Sequence, residues 1–244
     1  MIALITGAGR GIGREIAISF ASKGIHVILV ARTETEIISV ANEIRKSGAI
    51  ATPFRCDITD SKSVTLLYSE TQKIGKVNIL VNNAGVAPSA KIEDTSDSLW
   101  AETFATNVDG AFFLIRTYLA DMKSIGGGRI INVASTAALE GFSYNAAYTA
   151  SKHALIGLSR AVAKELVRYN ISVTTICPGF VRTTILDESI LNIVRKTGKT
   201  SEEAELLLAA MNTSGSIIEP KAVADAIVAS LDEPLDPNGK EILL

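Results

Sequence analysis

The sequence is poor in cysteine, histidine and net charge, and each shortage excludes a class of protein. Two cysteines, Cys56 and Cys177, among 244 residues cannot build a disulfide framework, and both lie in apolar stretches typical of buried, reduced thiols. The two histidines, His26 and His153, are not spaced as metal ligands, so we expect no metal site. A net charge of −2 gives no basic surface for nucleic acid or for an anionic membrane.

Long apolar runs, leader-like segments and linkers are also missing. No uninterrupted stretch of about 18 apolar residues predicts a membrane-spanning helix. Residues 1–5 run directly into a glycine-rich turn, without the basic start and cleavage site of a signal peptide, so we expect a soluble cytoplasmic protein. No Pro/Gly/Ser-rich linker or repeat divides the chain. With 47% hydrophobic residues, one domain over residues 1–244 is the simplest prediction.

What the sequence does contain is a regular alternation of strand-like and helix-like segments. Near-continuous apolar runs such as VILVA indicate strands buried on both faces, hence parallel. The alternation predicts an α/β fold: one doubly wound, Rossmann-type domain with a mostly parallel sheet and helices on both faces. We predict seven strands, at Ile2–Thr6, His26–Ala31, Ile50–Cys56, Val77–Asn82, Gly128–Ser135, Ser172–Cys177 and Lys240–Leu244. We predict helices at Gly11–Lys23, Glu34–Ser47, Ser61–Ile74, Ser96–Lys123, Ala147–Tyr169 and Lys221–Leu231.

One segment, residues 182–216, breaks this rhythm, and we predict that it forms a helical lid over the substrate. It follows the carboxyl end of the sixth strand, where ligands bind in a doubly wound fold; ordinary surface helices are the alternative. Its apolar positions Leu186, Ile190, Leu207 and Met211 indicate either a hydrophobic pocket or the core of the lid. Its basic residues face either thioester phosphates or, as we favour, solvent: Arg195, Lys196 and Lys199.

A glycine-rich turn, TGAGRGIG, follows the first predicted strand and opens a helix. Gly7, Gly11 and Gly13 permit a tight turn and close backbone approach, and a helix N-terminus attracts a pyrophosphate. The spacing differs from G-x-G-x-x-G because Ile12 occupies the last position, and no Gly-Lys-Ser/Thr follows as in a P-loop. A glycine turn alone is a weak signal, but its place directly after the first strand predicts a dinucleotide site.

Two arginines bear on the choice of dinucleotide. An acidic residue at the end of the second strand would hold the ribose 2′-hydroxyl of NAD, but here Ala31 is followed by Arg32. A guanidinium attracts a 2′-phosphate, and Arg10 in the turn supplies a second one. Glu34 is close in sequence, but we expect it to start the next helix. These residues predict NADP(H) over NAD(H); two solvated surface arginines are the alternative.

A tyrosine and a lysine, Tyr148 and Lys152, stand four residues apart, and Ser135 ends an apolar run before them. Residues at this spacing share one face of a helix. A neighbouring ammonium favours the phenolate, which helps a tyrosine with a free pKa of about 10 to exchange protons near neutral pH. Tyr118 and Tyr144 have no lysine four residues later, and we predict structural roles for them.

With these motifs assembled, the chain resembles the short-chain dehydrogenase/reductase family over essentially its whole length. The turn, Asp57 and Ile58 in CDITD, the NNAG motif at residues 82–85 and the Pro-Gly pair at 178–179 carry the resemblance. One departure is Asn78, where the family usually has Asp. The resemblance implies cofactor contacts from Gly7, Arg10, Gly11, Ile12, Gly13, Arg32, Asp57, Ile58, Asn83, Ala84, Gly85, Tyr148, Lys152, Pro178, Gly179, Val181 and Thr183.

The same resemblance implies a catalytic tetrad of Asn107, Ser135, Tyr148 and Lys152. Tyr148 would donate a proton to a substrate carbonyl while the cofactor gives hydride to its carbon. Lys152 would lower the pKa of Tyr148 and hold the ribose hydroxyls. Ser135 would hydrogen-bond the carbonyl oxygen, and Asn107 would hold a water that relays protons through Lys152. Singly, each member could be a packing residue; in this order, chance is a poor explanation.

Within the family, the chain resembles 3-oxoacyl-carrier-protein reductases and bacterial ketone or acyl-CoA reductases. This implies an NADP(H)-dependent reductase whose small-molecule substrate is a ketone or a 3-oxoacyl thioester, and a homotetramer or homodimer formed through the helix of Tyr148. Trp100 and the pair Phe112-Phe113 are predicted to pack in the core or in that interface. The alternatives are an alcohol or steroid dehydrogenase working mainly in oxidation, a non-catalytic NADP-sensing regulator, and a structural or interaction protein.

Overall fold

The computed structural model describes residues 1–232 and 238–244, and its centre is one seven-stranded sheet. The described strands run in the order β3-β2-β1-β4-β5-β6-β7, and every neighbouring pair is parallel. The predicted doubly wound fold is therefore confirmed, with strand ends that differ by one or two residues. The strands are Ile2–Thr6 (β1), His26–Ala31 (β2), Ala51–Arg55 (β3), Ile79–Asn82 (β4), Gly128–Val133 (β5), Ile171–Cys177 (β6) and Lys240–Leu243 (β7).

Helices cover both faces of the sheet and bury two separate apolar layers. Successive strand residues point to opposite faces, so Leu4 belongs to one layer and Ile5 to the other. Phe20 and Tyr118 are the largest fully buried side chains of the two layers. The helices are Gly11–Ser22 (α1), Glu34–Lys46 (α2), Ser61–Thr71 (α3), Asp97–Phe104 (α4), Gly110–Ser124 (α5), Ala146–Leu166 (α6), Thr184–Thr197 (α7), Ser201–Ala209 (α8) and Pro220–Ser230 (α9).

The helix predicted at Ser96–Lys123 is helical throughout, but a wider turn inside it divides it into α4 and α5. Residues Ala105–Asp109 form a π-helical turn between α4 and α5. The side chain of Asn107, inside this turn, is buried and bonds to a neighbouring loop. At the start of α5, a Cβ atom on Gly110 would lie 2.6 Å from Ile58 Cδ1, so glycine allows the helix to approach that residue. Turns of this kind are frequent at functional sites.

Two helices follow the sixth strand, α7 and α8, and they pack on each other through their own apolar cluster. Leu186 and Ile190 are buried there with Ala204 and Leu208. Of the other apolar positions singled out in the segment, Leu207 and Met211 are exposed. Its basic residues are exposed as well, and Lys196 Nζ lies 5.1 Å from the ring centroid of Tyr144. A lid function for residues 182–216 stays a prediction.

Within residues 1–232 and 238–244, no helix combines the length and the hydrophobicity needed to cross a bilayer. Over the same ranges, no three His, Cys, Asp or Glu side chains cluster closely enough to hold a metal ion.

Candidate active site

A cleft at the carboxyl ends of the central strands collects residues from every predicted motif. The glycine turn after β1, the loops after β2, β3 and β4, the end of β5, the start of α6 and the segment after β6 all line it. Of the residues predicted for cofactor binding or catalysis, Gly13 and Asn107 do not line this cleft. The others do: Gly7, Arg10, Gly11, Ile12, Arg32, Asp57, Ile58, Asn83, Ala84, Gly85, Ser135, Tyr148, Lys152, Pro178, Gly179, Val181 and Thr183.

The glycine turn forms a tight cradle at the N-terminus of α1. Gly7 and Gly11 have positive φ angles of 64° and 52°, which favour glycine. A Cβ atom on Gly13 would lie 2.2 Å from Gly7 O, so this glycine lets α1 pack against the turn and has a structural position. Backbone N–H groups at a helix start, with no side chain in the way, fit a pyrophosphate.

The loop after β4 is tied to the end of β1 by Thr6. The N–H groups of Asn83 and Ala84 donate to Thr6 Oγ1 at 3.0 and 3.1 Å, and Asn83 Nδ2 donates to Thr6 O at 2.9 Å. The side chain of Thr6 is almost fully buried. These bonds hold two walls of the cleft at a fixed separation.

The far end of the cleft, beyond the glycine turn, carries charged groups of both signs. Arg10 and Arg32 line it and are exposed. Burial pushes the pKa of Asp57 upward, but hydrogen bonds from Thr59 and the charge of Arg32 outweigh it, and the pKa is lowered. Glu36, in the first turn of α2, also lines this end, although no sequence motif marks it. Its place depends on how α2 packs, which no local pattern encodes.

At the opposite end, three predicted catalytic residues come together. Ser135 lies two residues past β5 in extended backbone, and its Oγ accepts a hydrogen bond from Ala137 N at 3.1 Å. Tyr148 and Lys152 lie one turn apart on α6. Lys152 is buried, and its Nζ donates to Val133 O at 2.8 Å. The arrangement joins a phenol, an alcohol and an ammonium on one wall.

The pKa of Tyr148 differs in direction from the sequence-based expectation. Burial raises it, and a hydrogen bond with Ser135 opposes the rise. The expected lowering by Lys152 does not occur in this arrangement: the lysine is not among the groups that shift the pKa of Tyr148, and burial lowers the pKa of Lys152 itself to about 8. Lys152 Nζ lies 5.7 Å from the centroid of the Tyr148 ring. Tyr148 therefore keeps its proton at neutral pH.

Asn107 stands behind this wall. Its Oδ1 accepts from Val86 N, and its Nδ2 donates to Val86 O and to Ser151 Oγ, each at 2.9 Å. Both amide hydrogens are thus used within the protein. A Cβ atom on Gly85 would lie 3.2 Å from Asn107 Oδ1 and 3.5 Å from Lys152 Nζ, so the asparagine holds the loop after β4 against the lysine.

The segment after β6 is fixed by Asn212, a residue that no sequence motif marks. Asn212 Oδ1 accepts from Phe180 N at 2.7 Å, and its Nδ2 donates to Phe180 O and Ser216 O. A Cβ atom on Gly179 would lie 2.1 Å from that Oδ1, so only glycine fits there. The bonds join the chain after α8 to the cleft. Asn212 falls in a polar stretch with no recognisable motif.

Side chains of mixed character surround the catalytic end. Phe142 and Phe180 line it with ring centroids 6.2 Å apart, and Leu186 adds a further apolar surface. Asn145, three residues before Tyr148, and Ser189 on α7 line it as polar groups. These residues lie in loops and in the segment after β6, where the sequence indicates polarity but not shape.

Comparison with known proteins gives one consistent picture. Residues 1–192 match the family model described as short chain dehydrogenase. The chain is 33% identical over 229 residues to a putative ketoacyl reductase of Streptomyces coelicolor, covering 93% of this chain and 88% of the relative. It is 34% identical to a 3beta-hydroxysteroid dehydrogenase of Mediterraneibacter gnavus, over 84% of this chain and 74% of that one.

The structural comparison agrees with the sequence comparison. A crystal structure of an actinorhodin polyketide ketoreductase variant with NADPH superposes with a TM-score of 0.94 at 32% identity, covering 100% of this chain and 95% of the other. The predicted family resemblance is therefore confirmed. The chain belongs to the short-chain dehydrogenase family and is an oxidoreductase of keto and hydroxyl groups.

Proposed function

We propose that the protein is an NADP(H)-dependent reductase of a ketone or a 3-oxoacyl thioester. The observation that carries this proposal is the grouping of Ser135, Tyr148 and Lys152 on one wall of the cleft that begins at the glycine turn. A substrate carbonyl on this wall meets a proton donor and a hydrogen-bond donor at once. The proposal includes the cofactor contacts predicted above, with Gly13 supporting the turn from behind.

Each residue of the wall has a distinct task in this proposal. The nicotinamide cofactor, when bound, supplies the hydride. Tyr148 donates its phenolic proton to the carbonyl oxygen, and Ser135 hydrogen-bonds the same oxygen. Lys152 holds the ribose hydroxyls of the cofactor, and in the complex with cofactor and substrate its positive charge favours the phenolate that remains. Asn107, whose side chain bonds to Val86 and Ser151, positions the loop that borders the lysine.

The protonation state of Tyr148 supports reduction as the main direction. Because burial raises its pKa, the hydroxyl is a proton donor at neutral pH. Oxidation of an alcohol would instead need the phenolate as a base. Arg10 and Arg32 at the far end of the cleft support NADP(H), since guanidinium groups suit a 2′-phosphate.

The substrate class follows from the catalytic end of the cleft. Phe142, Phe180 and Leu186 favour an apolar group next to the carbonyl. The ketoacyl reductase and polyketide ketoreductase relatives favour an oxoacyl chain. The exposed Arg195, Lys196 and Lys199 on and after α7 remain available to the phosphates of a thioester carrier.

NADPH consumption with acetoacetyl-CoA and with a simple aryl ketone tests the proposal, with Tyr148→Phe as the blank. We expect turnover of at least one substrate and a loss of about 10²–10⁴-fold in the variant. Turnover of the thioester alone would assign the protein to acyl metabolism. A Tyr148→Phe protein with near-normal turnover would refute the mechanism.

A second candidate, a dehydrogenase acting mainly in oxidation, is favoured by the steroid dehydrogenase relative. It predicts faster turnover of a hydroxysteroid with NADP⁺ than of the matching ketone with NADPH, both measured at pH 7. A non-catalytic NADP-sensing regulator predicts cofactor binding with no turnover in either direction, whereas a structural or interaction protein predicts no cofactor binding.

We also propose a homotetramer or homodimer, and a cytoplasmic location. Trp100 on α4 and Phe112 on α5 are exposed large aromatic side chains, which are enriched at interfaces. Trp100 stacks on Phe104 with ring centroids 5.0 Å apart, so the exposed surface is preformed. A monomer in sedimentation at micromolar concentration would contradict the assembly.

A further inference from the structure

Of the two carboxylates that line the far end of the cleft, Asp57 and Glu36, the second lies against the glycine turn. Glu36 lies on α2 and is partly buried against Gly9. A Cβ atom added at Gly9 would lie 2.7 Å from both Glu36 Cβ and Glu36 Oε2. The absence of a side chain at position 9 is therefore what allows the carboxylate to rest on the turn.

The other charged groups at this end leave Glu36 without a fixed partner. Asp57 Oδ1 accepts hydrogen bonds from Thr59 N and Thr59 Oγ1 at 3.0 and 2.8 Å, so that carboxylate is engaged. Across the described ranges, no ion pair joins Glu36 to Arg10 or Arg32, although all three line the same cleft. Arg10, Arg32 and a Glu36 carboxylate without an ion-pair partner thus line the same end of the cleft.

These charges act in opposite ways on the two nicotinamide cofactors. A ribose 2′-hydroxyl can donate a hydrogen bond to a carboxylate, whereas a 2′-phosphate is repelled by it. The arginines have the opposite preference. Cofactor choice at this site is therefore a balance between Arg10 and Arg32 on one side and Glu36 on the other.

We propose that Glu36 is a specificity-determining residue that weakens the preference for NADPH and allows NADH to bind. This inference rests on the proposed NADP(H)-dependent function and adds to it a residue that limits cofactor selectivity. It explains why two arginines coexist with a carboxylate on one wall, and why the turn carries glycine at position 9 as well as at the positions with positive φ.

The test measures binding in the absence of substrate, by titrating NADPH and NADH against the fluorescence of the bound cofactor. Glu36→Gln keeps the size of the side chain and removes its charge. We expect NADPH to bind about tenfold more tightly and NADH about threefold more weakly in this variant. The gain for NADPH shrinks as ionic strength rises, because the effect is electrostatic.

Glu34→Gln is the matched control. Glu34 occupies the first turn of the same helix, is exposed and does not line the cleft. We expect its substitution to change either affinity by less than about twofold. An unchanged NADPH/NADH affinity ratio in Glu36→Gln, or an equal change in Glu34→Gln, would overturn the inference.

A different variant, Arg32→Ala, tests the proposed preference for NADP(H) separately from the role of Glu36. If Arg32→Ala leaves NADPH binding unchanged relative to NADH, the arginine does not read the 2′-phosphate and the NADP(H) proposal is wrong. If Arg32→Ala weakens NADPH selectively while Glu36→Gln has no effect, only the role of Glu36 is wrong. A selective change in both variants, in opposite directions, supports both.

Discussion

Two buried charged side chains, Asp121 and Lys152, differ in the number and charge of their hydrogen-bond partners. Asp121, on α5, is 1% exposed. Its carboxylate accepts hydrogen bonds from Tyr68 Oη at 2.9 Å, Gln72 Nε2 at 2.6 Å and Lys76 Nζ at 2.8 Å. Because a charge loses its hydration on burial, three donors, one of them cationic, are what makes this position tolerable.

Lys152 is almost as deeply buried, at 4% exposure, but its ammonium has three donor hydrogens and donates to Val133 O. Burial lowers its pKa to about 8. Tyr148 on the wall and the buried Cys177 have pKa values that burial raises, so both are neutral near pH 7. No carboxylate is among the groups that influence the lysine pKa.

The difference shows which charge serves the fold and which serves the chemistry. The bonds of Asp121 join α5 to α3 and to the chain after α3. The burial of the Lys152 ammonium lowers the free energy of unfolding, and such a loss of stability is typical of functional sites. Four experiments test this contrast, given from the largest expected effect to the smallest.

Replacement of Lys152 by Met should separate activity from stability most clearly. The variant keeps the length of the side chain and removes the charge. We expect turnover to fall by about 10²–10⁴-fold. We expect the free energy of unfolding to rise by about 1–4 kcal/mol, because the variant no longer buries an ammonium that has no carboxylate partner. Urea unfolding and NADPH-coupled turnover measure the two effects.

Lys164→Met is the matched control for this variant, since Lys164 is exposed on the same helix. We expect less than about 0.5 kcal/mol of change in its stability and no change in turnover. A Lys152→Met protein that is less stable than the wild type would show that the lysine serves the fold after all.

Replacement of Asp121 by Ala should have the opposite outcome. Water can replace the acceptor for the half-exposed Lys76, but Tyr68 and Gln72 lose a buried acceptor, and we expect the free energy of unfolding to fall by about 1–3 kcal/mol. Turnover per folded molecule should stay within about twofold, because Asp121 does not line the cleft. Glu70→Ala, which breaks the exposed pair with Lys73, should cost at most about 1 kcal/mol.

Tyr118 and Tyr148, which are neutral, show the same contrast between a side chain that stabilises the fold and one that takes part in catalysis. Tyr118 is fully buried, and its hydroxyl bonds with Thr71 Oγ1 at 2.9 Å. We expect Tyr118→Phe to cost about 1 kcal/mol of stability, the value of one hydrogen bond, and to leave turnover unchanged. Tyr148→Phe should change turnover and not stability. Equal losses of turnover in the two variants would mean that the assay reports folding.

The glycine turn, the Tyr148–Lys152 pair and the parallel sheet could all be predicted from the sequence, because each depends on residues close together in the chain. Gly7 and Gly11 have positive φ angles that glycine readily adopts, so the pattern of the turn identifies its place. Tyr148 and Lys152 share a helix face by spacing alone. Apolar runs such as residues 27–30 of β2, buried at every position, predict a parallel sheet.

The features that the sequence does not predict depend on contacts between segments that are distant in the chain. The π-helical turn at Asn107 arises because the amide bonds with Val86 and Ser151, while the apolar pattern continues through the turn and predicts one helix. Glu36 reaches the glycine turn only because α2 packs beside it. The raised pKa of Tyr148 comes from burial, which a spacing rule does not contain.

The smallest expected effect is the pH dependence of stability caused by Lys152. In the unfolded chain its pKa is 10.5, and in the folded protein it is about 8. Below pH 8 both states hold the proton and the full cost of burial is present. Between pH 8 and 10.5 the unfolded chain holds a proton that the folded protein has lost, so stability rises with pH.

Urea unfolding of the wild type and Lys152→Met at pH 7.5 and pH 9 measures this effect as a difference. We expect the stability advantage of the variant to shrink by about 1 kcal/mol over that interval. Tyr148 and Cys177 have raised pKa values, so their contributions to stability have the opposite sign, but both residues are present in both proteins and their contributions cancel in the difference. A constant difference between the two proteins would mean that Lys152 stays charged in the folded state, and that Val133 O and the surrounding wall solvate it better than its burial implies.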